Sequence, residues 1–198
     1  GNLHVAFQEP SDFRMISGLN GTVEPGLPSL PGGEIAAFEV LSSGIYATDG
    51  GGDYYQFDSA TSSWSLLFST GIIDNVNDLH EENGIFYAAT DYGVERYDLS
   101  ANQALSSWNS GNVLHSDEIT EITTAGNQLL FSSQDSGLAR YNWNSGFWLA
   151  TWNDANWLAS NTISGAQAYQ DTLHIMSGDQ LHRYDLSTGV FGASIDLS

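Results

Sequence analysis

Apolar residues recur along this chain in short alternating runs, broken by Gly, Asn, Asp and Ser. The segment 75–108 shows the unit clearly. Asn75–His80 reads as one strand (a) and Gly84–Thr90 as a second (b). Gly93–Leu99 reads as a third (c) and Ala104–Trp108 as a fourth (d). Between them lie Asn83-Gly84, Asp91-Tyr92-Gly93 and Ser100-Ala101-Asn102. These residue types supply the positive φ angles that tight hairpins need. No stretch keeps a helical period of 3.6 over about ten residues. The pattern predicts an all-β chain of short antiparallel strands.

The unit repeats. An aromatic followed by Asp or Asn, with a second apolar residue seven positions on, occurs at Phe57-Asp58 with Trp64. It returns at Tyr141-Asn142 with Trp148 and at Tyr184-Asp185 with Phe191. Tyr97-Asp98 with Leu105 or Ala104 is a looser copy, and Ile16-Ser17 with Val23 a degenerate first one. From Ile16 through Phe57, Tyr97, Tyr141 and Tyr184 the spacings are 41, 40, 44 and 43. A second anchor, a Leu followed by a polar turn and two apolar residues three apart, keeps step. Its copies run Leu30–Phe38, Leu114–Ile122 and Leu158–Ala166, with a shorter one at Ile72–Leu79.

Four antiparallel strands repeated every 40 to 45 residues is the signature of β-propeller blades. Leu3–Phe7 aligns with strand b and Val190–Leu197 with strand d. The expected fold is therefore one propeller domain, 1–198, of about five sectors whose first blade lacks its inner strand. The units run roughly 3–31, 32–71, 72–113, 114–157 and 158–198. Two arrangements stay open: a compact five-sector ring, or part of a larger propeller. An incomplete ring would leave blade edges for self-association.

Charge narrows the function. The 198 residues include 24 Asp and Glu against four Arg and no Lys, for a net charge of −20. No basic patch exists for phosphate contacts, which argues against nucleic acid and anionic membrane as partners. The absence of Cys removes disulfides, thiol nucleophiles and Cys-bound zinc. No apolar run is long enough for membrane insertion, and no leader segment is read at the N-terminus. Excess acid without lysine fits either an exported protein from a saline setting or a merely acidic one.

The cadence of Leu114–Ile122, of Gly84–Thr90 and of Gly137–Tyr141 resembles the two-component-regulator propeller repeat. The resemblance is at the level of the repeat and covers nearly the whole chain. It implies sensor propellers, often of seven blades, in periplasmic, secreted or surface proteins. An aromatic that such repeats carry early in strand b is missing or moved here.

Candidate chemistry is sparse. Residues opening each strand a would line one mouth of a central channel: Glu34, Asn75, Asp78, Asp117, Glu118, Glu121 and Thr162. A carboxylate ring there is the one place suited to Ca2+, a hard ion taking six to eight oxygens; no other cofactor is indicated. Trp152 and Trp157 flank Asn153-Asp154-Ala155-Asn156, and Trp beside amides suits a sugar ring. Packing beneath the loop is the competing expectation for both. Arg96, Arg140 and Arg183 precede the repeat tyrosines and are expected to pair or stack with the adjacent blade, a ring of guanidinium groups for an anionic ligand being the competing reading. The five histidines form no metal-binding pair, and no nucleophile elbow is present.

No catalytic residue is assigned. The leading expectation is a non-enzymatic binding module of an extracellular, cell-surface or periplasmic protein, presenting loops to a glycan, peptide or protein. A lyase or glycoside hydrolase using the acidic mouth is the enzymatic alternative. A structural spacer is the third.

Overall fold

A computed structural model describes residues 3–6, 13–17, 22–23, 27–33, 35–49, 51–71 and 75–198. All regular structure in it is β, in five consecutive antiparallel sheets. The first has three strands, β1 (Leu3–Ala6), β2 (Phe13–Ser17) and β3 (Thr22–Val23). The second runs β4 (Ala37–Leu41), β5 (Gly44–Thr48), β6 (Asp53–Asp58) and β7 (Ser63–Ser69). The third runs β8 (Val76–Glu82), β9 (Ile85–Thr90), β10 (Gly93–Asp98) and β11 (Gln103–Trp108). The fourth runs β12 (Ile119–Ala125), β13 (Gln128–Ser133), β14 (Leu138–Asn142) and β15 (Phe147–Trp152). The fifth runs β16 (Ile163–Tyr169), β17 (Thr172–Ser177) and β18 (Gln180–Asp185). Its fourth position is split into β19 (Val190–Phe191) and β20 (Ile195–Asp196), both paired to β18.

These are propeller-type blades, and among the described residues the first shows three strands. Each strand a–d of the sequence reading is found within a residue or two. Turn chemistry explains the boundaries. Asn83 and Gly84 both take positive φ, 55° and 75°, as a two-residue hairpin turn requires. The repeat Asp closes the c–d turn. Asp98 Oδ1 accepts from Ser100 N and Ala101 N, and Asp185 Oδ1 from Ser187 N and Thr188 N. The Ser187 Oγ bond and then the Thr188 N bond hold the Asp185 carboxyl below the usual range, and the Ala101 N and then the Ser100 Oγ bonds do the same for Asp98.

The chain divides into two compact units. Unit 1 comprises Gly1–Phe86 and Tyr97–Ala104; unit 2 comprises Tyr87–Arg96 and Leu105–Ser198. In unit 1, Leu30, Ala47, Tyr55 and Trp64 form a buried cluster, with Leu27, Phe38 and Phe57 packed on it. Tyr54 stacks on Phe68 at 4.4 Å and Phe68 on Tyr97 at 4.8 Å. In unit 2, Leu130, Leu138, Trp152, Leu158, Ile163 and Leu173 belong to one core, against which Tyr184 and Phe191 pack. Trp108 lies 4.8 Å from Tyr141 and 5.0 Å from Trp148.

One packing device was not legible in the aromatic anchors. Leu27, Phe68, Trp108 and Trp152 hold one repeat position, spaced 41, 40 and 44 residues apart. Each packs on the next sheet: Leu27 on the Trp64 cluster, Phe68 on Tyr97, Trp108 on Tyr141, and Trp152 on Tyr184 at 4.5 Å. Two arginines refine a second expectation. Arg96 and Arg140 each stack on a tryptophan of their own sheet. The Arg96 guanidinium sits 3.8 Å over Trp108, and Arg140 sits 3.8 Å over Trp152. The geometry is a cation–π stack.

Candidate functional site

The connections from strand d to the next strand a carry most of the predicted site residues. Two in unit 2 share one backbone scaffold, 44 residues apart. In 153–158 the Asn153 carbonyl accepts the N–H groups of Asn156, Trp157 and Leu158. Asn156 Oδ1 accepts from Asn153 N at 3.0 Å, and its Nδ2 donates to Thr151 O at 2.9 Å. Asn153 Oδ1 accepts from Ala155 N at 3.1 Å. In 109–114 Asn109 and Asn112 repeat every one of these bonds. Leu114 and Leu158 are buried and anchor the two loops. Each loop thus turns its penultimate side chain outward, Val113 in one and Trp157 in the other.

The two tryptophans of the sequence reading part company here. Trp157 is 58% exposed and stacks on Phe191 at 5.5 Å with 11° between the planes. Trp152 is only 4% exposed. Arg140 covers one side of it, and Tyr184 and Phe191 pack within 4.9 Å. The expectation that Trp152 offers a face to a ligand is therefore corrected. It is core, because a β-bulge rotates it. Leu138 pairs with Trp152 and Arg140 with Leu149, so two steps along β14 face three along β15. The extra residue moves Trp152 off the face of Trp148 and under Arg140.

The amides beside Trp157 are also taken. Both expected sugar-binding side chains, Asn153 and Asn156, build their own loop. Among the acids, Asp117 binds Ser110 twice, accepting from its N at 2.7 Å and its Oγ at 2.8 Å. Glu121 accepts from Ala166 N at 2.8 Å, tying β12 to β16. Asp78 accepts from Leu79 N at 2.9 Å. Glu118 is exposed, as is Asn75. Thr162 Oγ1 donates to Gln134 O at 2.8 Å and so joins the fifth strand a to the fourth b–c turn. Glu34 lies outside the described residues. Asn75 and Asp78 belong to unit 1 and the other described candidates to unit 2. Among the described residues, no three His, Asp or Glu side chains gather as a metal-binding group.

The sequence reading missed His182. It is 7% exposed on β18, and its Nε2 accepts from Ala159 N at 3.2 Å, next to the Trp157 loop. Burial holds its pKa below the ordinary 6.5, in line with Nε2 acting as an acceptor. Isolated in sequence, it carries no signal that could have singled it out.

Comparison with known proteins gives a fold. No family model and no curated protein sequence matches the chain. Solved structures do. The extracellular domain of the putative hybrid two-component system BT3049 from B. thetaiotaomicron matches with a TM-score of 0.61 at 14% identity, over 92% of this chain and 27% of that one. The corresponding domain of BT4673 from the same organism matches with 0.59 at 21% identity, over 80% and 21%. The computationally designed Ika8 protein matches with 0.65 at 16% identity, over 96% of this chain and 60% of that one. The chain spans 60% of the Ika8 chain and about a quarter of the two extracellular domains. At such identities the likeness shows the propeller-type fold alone.

Proposed function

We propose that the chain is a non-enzymatic binding module of an exported or cell-surface protein. It presents the loops at one end of its blades to a polysaccharide, peptide or protein. The observation that carries this is the paired Asn scaffold, which holds Val113 and Trp157 outward on ordered backbone. A preordered loop avoids the entropy loss of ordering on binding. The expected mouth carboxylates Asp117 and Glu121 serve as acceptors within the fold, which supports display over acid–base chemistry. The extracellular domains among the structural neighbours agree with an exported setting.

The test is a screen of the immobilised chain against arrays of oligosaccharides and peptides, repeated with Trp157→Ala and Trp157→Phe. A ligand lost with alanine and kept with phenylalanine supports the reading. Ligands indifferent to Trp157, or cleaved on incubation, would overturn it.

A further inference from the structure

Antiparallel pairing brings the b–c turns and the d–a connections of unit 2 to the same end of their sheets. Ile119 opens β12 opposite Ser133 at the close of β13, and Leu138 opens β14 opposite Trp152 at the close of β15. Backbone bonds join these loops, as in Gly137 N to Asn161 O at 2.8 Å. Three apolar side chains stand exposed there: Tyr92 at 59%, Trp157 at 58% and Val113 at 37%. The same end carries Asp91, Asp117, Glu118, Asp135, Asp154 and Asp179 and has no Lys or Arg. The opposite end of unit 2 carries only Asp171 and Asp185 in its turns. Every arginine of the chain lies within a strand c instead.

We propose that this end of unit 2 docks a cationic segment of a protein partner, an extended run bearing Arg or Lys. One guanidinium or ammonium group lies on the face of Trp157 turned away from Phe191, and the neighbouring carboxylates hold the rest. Charge complementarity decides the occupant. A surface with six carboxylates and no cation favours positive partners. Trp is the ring best suited to hold a cation. A neutral sugar would want the amides of Asn153 and Asn156, and those are bonded inside the loop. The inference rests on the loop-display reading above and names its partner class.

The probe is a fluorescein-labelled decapeptide alternating Arg and Gly, titrated at about 20 mM and about 200 mM NaCl across a Debye length of about 20 to 7 Å. Binding should saturate and weaken at the higher salt. Trp157→Ala should lower affinity about two- to five-fold, with Trp157→Phe restoring part of it. Combining Asp135→Asn, Asp154→Asn and Asp179→Asn should weaken binding further and flatten the salt dependence. Asp171→Asn, at the other end, should change little. If Asp171→Asn matters as much as the loop-end changes, the attraction is diffuse and the proposal falls. Cellohexaose bound through Trp157 without salt dependence would overturn the cationic partner and leave loop display standing. Peptide and sugar both indifferent to Trp157 and to every loop-end variant would overturn the two together.

Discussion

A single methyl group added at Gly137 should loosen the fourth blade. Gly137 opens the strand carrying Arg140, with φ of +90°. A Cβ there would lie 2.1 Å from the Trp152 carbonyl oxygen, on backbone that cannot swing aside. The left-handed conformation alone costs a non-glycine residue about 1–2 kcal/mol. Relieving the overlap means moving the end of β15, a packing disturbance of about 1–3 kcal/mol. Gly137→Ala should therefore cost roughly 2–5 kcal/mol, or about 4–20 °C in Tm for a chain this size. Gly126 supplies the control within the same sheet. Its φ is +62°, and an added Cβ there meets nothing within 4 Å. Gly126→Ala should lose only the conformational part, about 1–2 kcal/mol. Thermal melts by circular dichroism, backed by urea titrations, read the difference. Equal losses in the two variants would refute the argument, because the contact with Trp152 would then contribute nothing.

Trp152→Ala should cost about 3–5 kcal/mol as a core truncation, while Trp157→Ala should cost no more than about 1.5 kcal/mol for its stack on Phe191; denaturant midpoints of the two separate core from display. Arg140→Lys should destabilise by about 1 kcal/mol in the same assay, since lysine cannot both lie flat on Trp152 and donate to Gln128 Oε1 and Ala150 O as Arg140 does. Buried His182 binds a proton less readily than the unfolded chain does, so stability should be full above pH 6.5 and fall as pH drops below it toward the lower folded value. His80, whose pKa burial also lowers, adds the same sign. Melts between about pH 7.5 and 5.5 should show a shallower fall in His182→Gln, which accepts from Ala159 without titrating; an unchanged slope would refute the assignment.

How far the sequence reached follows from the range of each interaction. Strand order and turn positions were legible, because alternation and turn residues act over a few neighbours. Asn83-Gly84 favours a tight hairpin through its own backbone preferences, and both residues take positive φ. The spacing of Ile119 and Ile122 was visible as an anchor, yet three residues should put them on opposite faces of a strand. A bulge between Ile119 and Glu121 gives them one face, and both are buried. The same kind of shift decides Trp152, which simple alternation would leave beside Trp148 and which the bulge in β15 places under Arg140. Asn153 and Asn156 look like ligand groups until the loop closes on them, and Glu121 looks like a mouth carboxylate until Ala166, 45 residues on, donates to it. Local backbone preference is written in neighbouring residues and so determines the elements. Which face a residue shows, and whether a polar group is already satisfied, depends on register and on partners distant in the chain, and only the tertiary structure decides those.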